Sequence, residues 1–155
     1  MNSTAARCLA VSGVLLALLL GGCASPRTLR AFSSDGCSLF PEGDTGDVSR
    51  WSGCCLQHDQ AYWRGGTAAQ RQQADLALRA CVLARTQRPL LAAVMHRGVR
   101  IGGMPLLPTP FRWAYGWAYG RGYAPLTAEE ERQAEVQWTA YVLSHPPSDC
   151  EQPSE

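Results

Sequence analysis

The chain has 155 residues, enough for one domain with a modest core. Hydrophobic residues make up 46% and charged residues 17%, which excludes a disordered composition. The net charge of +1 provides no basic field for nucleic acid.

Residues 1–22 read as an export leader. Met1 to Arg7 is short and carries one positive charge; the apolar run "LAVSGVLLALLL", Leu9 to Leu20, is too short to span a bilayer comfortably. The junction Leu20-Gly21-Gly22-Cys23 resembles a bacterial lipobox, which implies cleavage before Cys23 and acylation of its thiol. Ala24 stands where an aspartate retention signal would be, which implies an outer-membrane lipoprotein facing the periplasm, held beside its membrane by an acyl anchor. A plain leader with a free Cys23 is the alternative. Residues 23–34 then form a lipidated linker, 35–145 the folded domain and 146–155 a polar tail. Of seven cysteines, Cys8 leaves with the leader and Cys23 is lipidated. Five remain in an oxidising compartment where disulfides are expected, and Cys150 in the tail is the odd one out.

"DGCSLFPEGDTGD", Asp35 to Asp47, reads as loop, with Gly and Pro and no helical period. Asp47 or Ser49 can cap a helix that runs to about Arg64, where Gly65-Gly66 stops it. Thr67 and Gln70 form a capping box that opens a second helix, about Ala68 to Thr86. A two-glycine connection makes these two helices antiparallel neighbours. A weaker helix covers Leu90 to Val99. Residues 101–125 hold Gly, Pro and the repeat "WAYGWAYG", Trp113 to Gly120. Thr127 and Glu130 form a second capping box, opening a helix to about Ser144 with Ala134, Trp138, Tyr141 and Val142 on one face. No strand is convincing, so the expected fold is mainly α.

The chemistry concentrates in "CCLQHDQAY", Cys54 to Tyr62. On a helix His58, Asp59 and Tyr62 project toward overlapping sides. Asp75 is one charge in an apolar run of the second helix. His58 lies about eight residues before the turn and Asp75 about nine after it, so the two reach the same height at a rise of about 1.5 Å per residue. An imidazole with a carboxylate behind it can take a proton from water. A second carboxylate, with loop carbonyls, can hold a hard cation such as Ca²⁺, which polarises an ester carbonyl.

This segment resembles secreted phospholipase A2, whose hallmark is Cys-Cys-x-x-His-Asp followed three residues later by Tyr. "DLALRAC", Asp75 to Cys81, is similar to that family's second long helix, and "DGCS" to its calcium loop. The resemblance covers about Asp35 to Cys81. It implies a small disulfide-stapled fold with two antiparallel core helices and a calcium-type loop. It implies calcium-dependent hydrolysis of a glycerophospholipid acyl ester, with His58 as base, Asp75 as its partner and Tyr62 as the partner of Asp75. It assigns calcium to the Asp59 carboxylate and the carbonyls of Gly36, Ser38 and Phe40. It pairs Cys37 with Cys55 and Cys54 with Cys81. The family's further bridge between these helices falls on Ala61 and Ala74, both lost together. The loop departs from the family in carrying Leu39-Phe40 where small residues are usual, and in lacking a second cysteine.

Other readings stand beside these. His58-Asp59 also fits a polar helix face, or, with Cys54 and Cys55, a zinc site. Asp75 also fits an ordinary surface carboxylate. His96 with Arg97 and Arg100 reads as a solvated basic face. The aromatic stretch Phe111 to Tyr123 reads either as loop packed on the core or as an interfacial surface, with Arg112 and Arg121 adding phosphate contacts. A catalytically inactive envelope lipoprotein of the same fold, binding lipid or a protein partner, is the alternative function.

Overall fold

The computed structural model describes residues 28–146; the leader, Cys23, the residues from Pro147 onward and Cys150 lie outside them. Four helices carry the described residues: α1, Ser52–Arg64; α2, Ala68–Thr86; α3, Pro89–Gly102; and α4, Ala128–Ser144. No strand occurs among them, only an isolated bridge between Asp44 and Asp47. No helix among the described residues is long and apolar enough to cross a membrane.

The pairings between α1 and α2 run in opposite order along the two helices. Cys54 meets Cys81 in a disulfide, His58 meets Asp75, and Tyr62 meets Arg71. The two helices are therefore antiparallel, as the two-glycine turn requires. Gly65 adopts φ +73, and a Cβ there would sit 2.6 Å from the Ala114 Cβ, so glycine is needed at this turn. A second disulfide, Cys37–Cys55, ties the preceding loop to α1.

α2 opens on the Thr67–Gln70 capping box and α4 on the Thr127–Glu130 box, both complete in both directions. α1 starts differently from expectation. Its first turn follows Trp51, with no side-chain cap. Asp47 and Ser49 are occupied locally: Ser49 donates its N–H and hydroxyl to Asp47, and the Ser49 carbonyl accepts from Ser52. α3 starts on Pro89, which suits a first helical position, and runs through Gly98 to Gly102, three residues past the expected end.

The core falls into two clusters. Trp51, Cys54, Cys55, Leu78, Val82, Ala92 and Met95 form one. Leu29, Phe32, Tyr62, Trp63, Trp113, Ala114, Trp117 and Ala134 form the other. Along α1 the first holds positions 54 and 55 and the second 62 and 63, so His58 and Asp59 lie between them. Two assignments made from sequence change here. Residues 28–34, read as linker, belong to the fold: Leu29 and Phe32 are buried, Phe32 packs edge-on against Trp63, Trp138 and Tyr141, the Arg30 N–H donates to the Gly116 carbonyl, and the Arg30 carbonyl accepts from the Trp63 indole. On α4, Ala134, Trp138 and Tyr141 face the core, whereas Val142 is exposed.

The aromatic repeat is mainly core. Trp113 and Trp117 are each 1% exposed. A helix leaves its last four carbonyls without partners, and this segment serves three of those of α1, the turn glycine Gly65 the fourth. Gly65 N–H reaches Ala61, Ala114 N–H reaches Tyr62 at 2.7 Å, Gly116 N–H reaches Trp63 at 3.1 Å, and the Trp117 indole reaches Arg64 at 2.7 Å. The Trp113 indole adds a bond to the Gly66 carbonyl. Arg112 and Arg121, read as possible phosphate contacts, are engaged inside the protein. Arg112 donates to the carbonyls of Trp113, Ala114 and Trp117, and Arg121 pairs with Glu130 and stacks on Trp117.

Candidate functional site

α1 and α2 bring His58 and Asp75 together because a four-residue period on each helix points both side chains at the shared interface. The His58 Nε2 lies 2.9 Å from Asp75 Oδ1. His58 is 8% exposed and Asp75 fully buried. Tyr62, one turn beyond His58, donates its hydroxyl to the same oxygen at 2.7 Å. A carboxylate accepts and does not donate, so the imidazole carries its hydrogen on Nε2 and leaves the Nδ1 lone pair open. Nδ1 makes no hydrogen bond to the protein among the described residues.

The other oxygen of Asp75 is held by two residues that sequence reasoning did not assign. Arg100, in the last turn of α3, donates to Oδ2 at 2.7 Å. Arg71, one turn before Asp75 on α2, brings its Nε within 3.9 Å of that oxygen and donates it to the Tyr62 hydroxyl at 3.0 Å. Its other nitrogens reach the Tyr123 hydroxyl and the carbonyls of Val99 and Arg100. Arg100 is thus part of this network and not of a solvated basic face. Burial alone would raise the Asp75 carboxyl, but the bonds from His58, Arg100 and Tyr62 outweigh it and hold it below the ordinary carboxylate range. Tyr62 moves the other way: burial, then the Asp75 charge, pushes its hydroxyl well above its usual value. The i,i+4 spacing of Arg71 and Asp75 is a signal that could have found Arg71. No local signal points to Arg100, 25 residues away.

Asp59 faces a different neighbourhood. It is 6% exposed and accepts the Ser34 hydroxyl at 2.5 Å. Burial pushes its carboxyl up to about 7; the Ser34 bond opposes this, and the charges of Asp35 and Glu42 add to it. No cationic side chain pairs with Asp59 among the described residues.

His58, Asp59 and Tyr62 line one cavity of about 230 Å³ together with Gly36, Ser38 and Phe40 of the preceding loop. The resemblance therefore assigned to one site residues that do converge on one cavity. Gly36 has φ +71 and Ser38 φ +56, so the loop turns through left-handed backbone at both positions. The Phe40 N–H closes a turn on the Cys37 carbonyl at 3.0 Å. Buried carboxylate and loop carbonyls are hard oxygen donors, and like charge crowds Asp59, so the chemistry of this donor set fits a hard cation. No group of three or more His, Cys, Asp or Glu side chains is gathered around a metal position among the described residues, so such a site would depend on the carbonyls. Zinc is disfavoured, since Cys54 and Cys55 are both in disulfides. His145, by contrast, stacks on Tyr141 at the exposed end of α4, far along the chain from this cavity.

Compared with known protein families, curated proteins and solved structures, the chain matches none.

Proposed function

We propose that this protein is a phospholipase A2-like hydrolase of a glycerophospholipid acyl ester, carried on an acylated Cys23 at the bacterial outer membrane. The observation that supports it most is the His58–Asp75 pair at 2.9 Å, buried, shared by Tyr62 and set on the wall of a mainly apolar cavity. In this reading His58 Nδ1 takes a proton from water as the water oxygen attacks the ester carbonyl carbon. Asp75 keeps the imidazole in one tautomer and offsets the imidazolium charge. The proton then passes to the leaving glycerol oxygen as the carbon–oxygen bond breaks, giving a fatty acid and a lysophospholipid. Asp59 and the carbonyls of Gly36, Ser38 and Phe40 would hold Ca²⁺, which when bound supplies Lewis-acid polarisation of the ester. Leu39, beside the cavity and 88% exposed, suits contact with a lipid surface.

The test is fatty-acid release from phospholipid vesicles by purified protein, with Ca²⁺ and with chelator, beside His58→Gln. Release that needs Ca²⁺ and falls at least about 10³-fold in the variant is expected. No release by correctly oxidised protein at any calcium level overturns hydrolysis.

One observation favours a second reading, an inactive module of the same fold that binds lipid or a protein partner. Arg100 engages the far oxygen of Asp75 at 2.7 Å, which draws carboxylate charge away from His58. Saturable lipid binding without release would select it.

A further inference from the structure

Ser34 lies just outside the stretch, Asp35 to Cys81, that carries the family resemblance, so no role comes to it from that source. Its hydroxyl makes two bonds. It donates to Asp59 Oδ2 at 2.5 Å and accepts the Gly36 N–H at 3.1 Å. One oxygen thus fixes both the carboxylate and the start of the loop that turns at Gly36 and Ser38. Asp59 and Gly36 line the cavity that holds His58, whereas Ser34 lines a neighbouring one with Arg30, Ser33 and Tyr115. Ser34 therefore holds Asp59 without taking up room in the first cavity.

The segment that carries Ser34 has no regular secondary structure, yet it is fastened tightly. Leu29 and Phe32 are buried. The Leu29 carbonyl accepts from Gln137 at 2.9 Å, the Arg30 carbonyl from the Trp63 indole at 2.8 Å, and the Ser33 carbonyl from the Tyr115 hydroxyl at 2.7 Å. The Arg30 N–H reaches the Gly116 carbonyl at 2.8 Å. Bonds from α1, α4 and the aromatic segment thus set where Ser34 stands. A group that orients a metal-binding carboxylate must itself be fixed, and this one is. A hydroxyl also suits the task electrostatically. It orients a carboxylate and adds no net charge, whereas a lysine or arginine there would neutralise Asp59 and repel a cation. No cationic side chain pairs with Asp59 among the described residues.

We infer that Ser34 is a positioning residue for a hard cation: its hydroxyl orients the Asp59 carboxylate and fixes the Gly36 turn, and so sets the affinity for Ca²⁺. It acts through Asp59 and the loop, not on substrate. This deepens the calcium-dependent reading above and rests on its assignment of the cation to Asp59, but it does not require hydrolysis.

The test is Ca²⁺ titrated by calorimetry into the purified chain and into Ser34→Ala and Ser34→Thr, each first checked for folding by thermal unfolding in chelator. Ser34→Ala removes one oxygen and keeps the Cβ, so it is expected to fold. Its Ca²⁺ affinity is expected to fall about 10- to 100-fold, the usual cost of losing a partner behind a metal ligand. Ser34→Thr keeps the hydroxyl and is expected to retain most of the affinity. Unchanged affinity in Ser34→Ala overturns the inference, and so does equal loss in both variants, which would make the effect one of packing. A Ser34→Ala chain that fails to fold makes the hydroxyl structural and overturns it too. Fatty-acid release is scored separately, and its loss in Ser34→Ala should be recovered at saturating Ca²⁺. Hydroxyl-dependent Ca²⁺ binding without release leaves this inference standing and removes hydrolysis alone. Release in chelator by a chain that binds no Ca²⁺ removes this inference and leaves hydrolysis.

Discussion

Asp75 is a fully buried carboxylate with three donors from two other helices, His58 and Tyr62 of α1 and Arg100 of α3. Taking a charge out of water is tolerable only when every lone pair is used, and here both oxygens are. Arg71 performs the same service for the tyrosine that shares the carboxylate, and fastens the end of α3 by two of its carbonyls. Removing it strands the Tyr62 and Tyr123 hydroxyl contacts and both carbonyls at once. Arg71→Met is therefore expected to destabilise by roughly 3–5 kcal/mol. Urea unfolding measures this, and a loss under about 1 kcal/mol would show that the clamp is not structural. Arg100→Met should also destabilise, because it removes the hydrogen bond to Oδ2 and leaves that oxygen of the fully buried Asp75 with Arg71 at 3.9 Å.

Among the elements, α4 depends most on charge at its start. Glu130 closes the capping box on Thr127 and pairs with Arg121 at 2.7 Å. The Arg121 bonds lower its carboxyl most; burial opposes them, and the Thr127 N–H adds to the lowering, for a value of about 2 against an ordinary 4.5. A depressed carboxyl contributes stability that is complete above its unfolded value and lost as pH falls through its folded one. Glu130 should thus stabilise the fold by on the order of 3 kcal/mol at neutral pH, and progressively less from about pH 4.5 down to about 2. Urea unfolding of the chain beside Glu130→Gln checks this. The gap between the two should be widest near neutrality and close in acid; a gap that persists unchanged at low pH would refute the ionic account. α1 has the opposite arrangement. Its start has no side-chain cap, and its end is closed by a segment fifty residues away in sequence, through Ala114, Gly116 and Trp117.

For the whole molecule, two disulfides bracket the site. Cys37–Cys55 closes 18 residues and Cys54–Cys81 closes 27. The two loops share only positions 54 and 55, so their effects on the unfolded chain are nearly independent. Each is expected to contribute about 3 kcal/mol by restricting the unfolded chain. Reduction under native conditions should therefore lower the unfolding free energy by roughly 6 kcal/mol and bring the chain close to unfolding. Calorimetry with and without reductant tests this. An unchanged unfolding temperature after verified reduction of both bridges would refute it. Loss of structure should spread from the loop at 35–47, which has few regular hydrogen bonds of its own and is held to α1 by Cys37.

Features written in short-range order are legible in the sequence alone. The two capping boxes, the glycine stop after Arg64 and the four-residue spacing of Cys54, His58 and Tyr62 each depend on residues within one or two turns of each other. The height match of His58 and Asp75 followed from a two-glycine turn and a constant rise. Long-range contacts were a different matter. Nothing near Leu29 or Phe32 announces that they fill a core closed by Trp138 and Tyr141 more than a hundred residues later. Trp113 and Trp117 look the same in sequence whether their indoles meet a membrane or the carbonyls of Gly66 and Arg64. Arg100 reads as a solvated charge until α3 folds back and sets it on Asp75. Periodicity and caps depend on neighbours along the chain, whereas burial and charge pairing depend on neighbours in space, and those exist once the helices have packed.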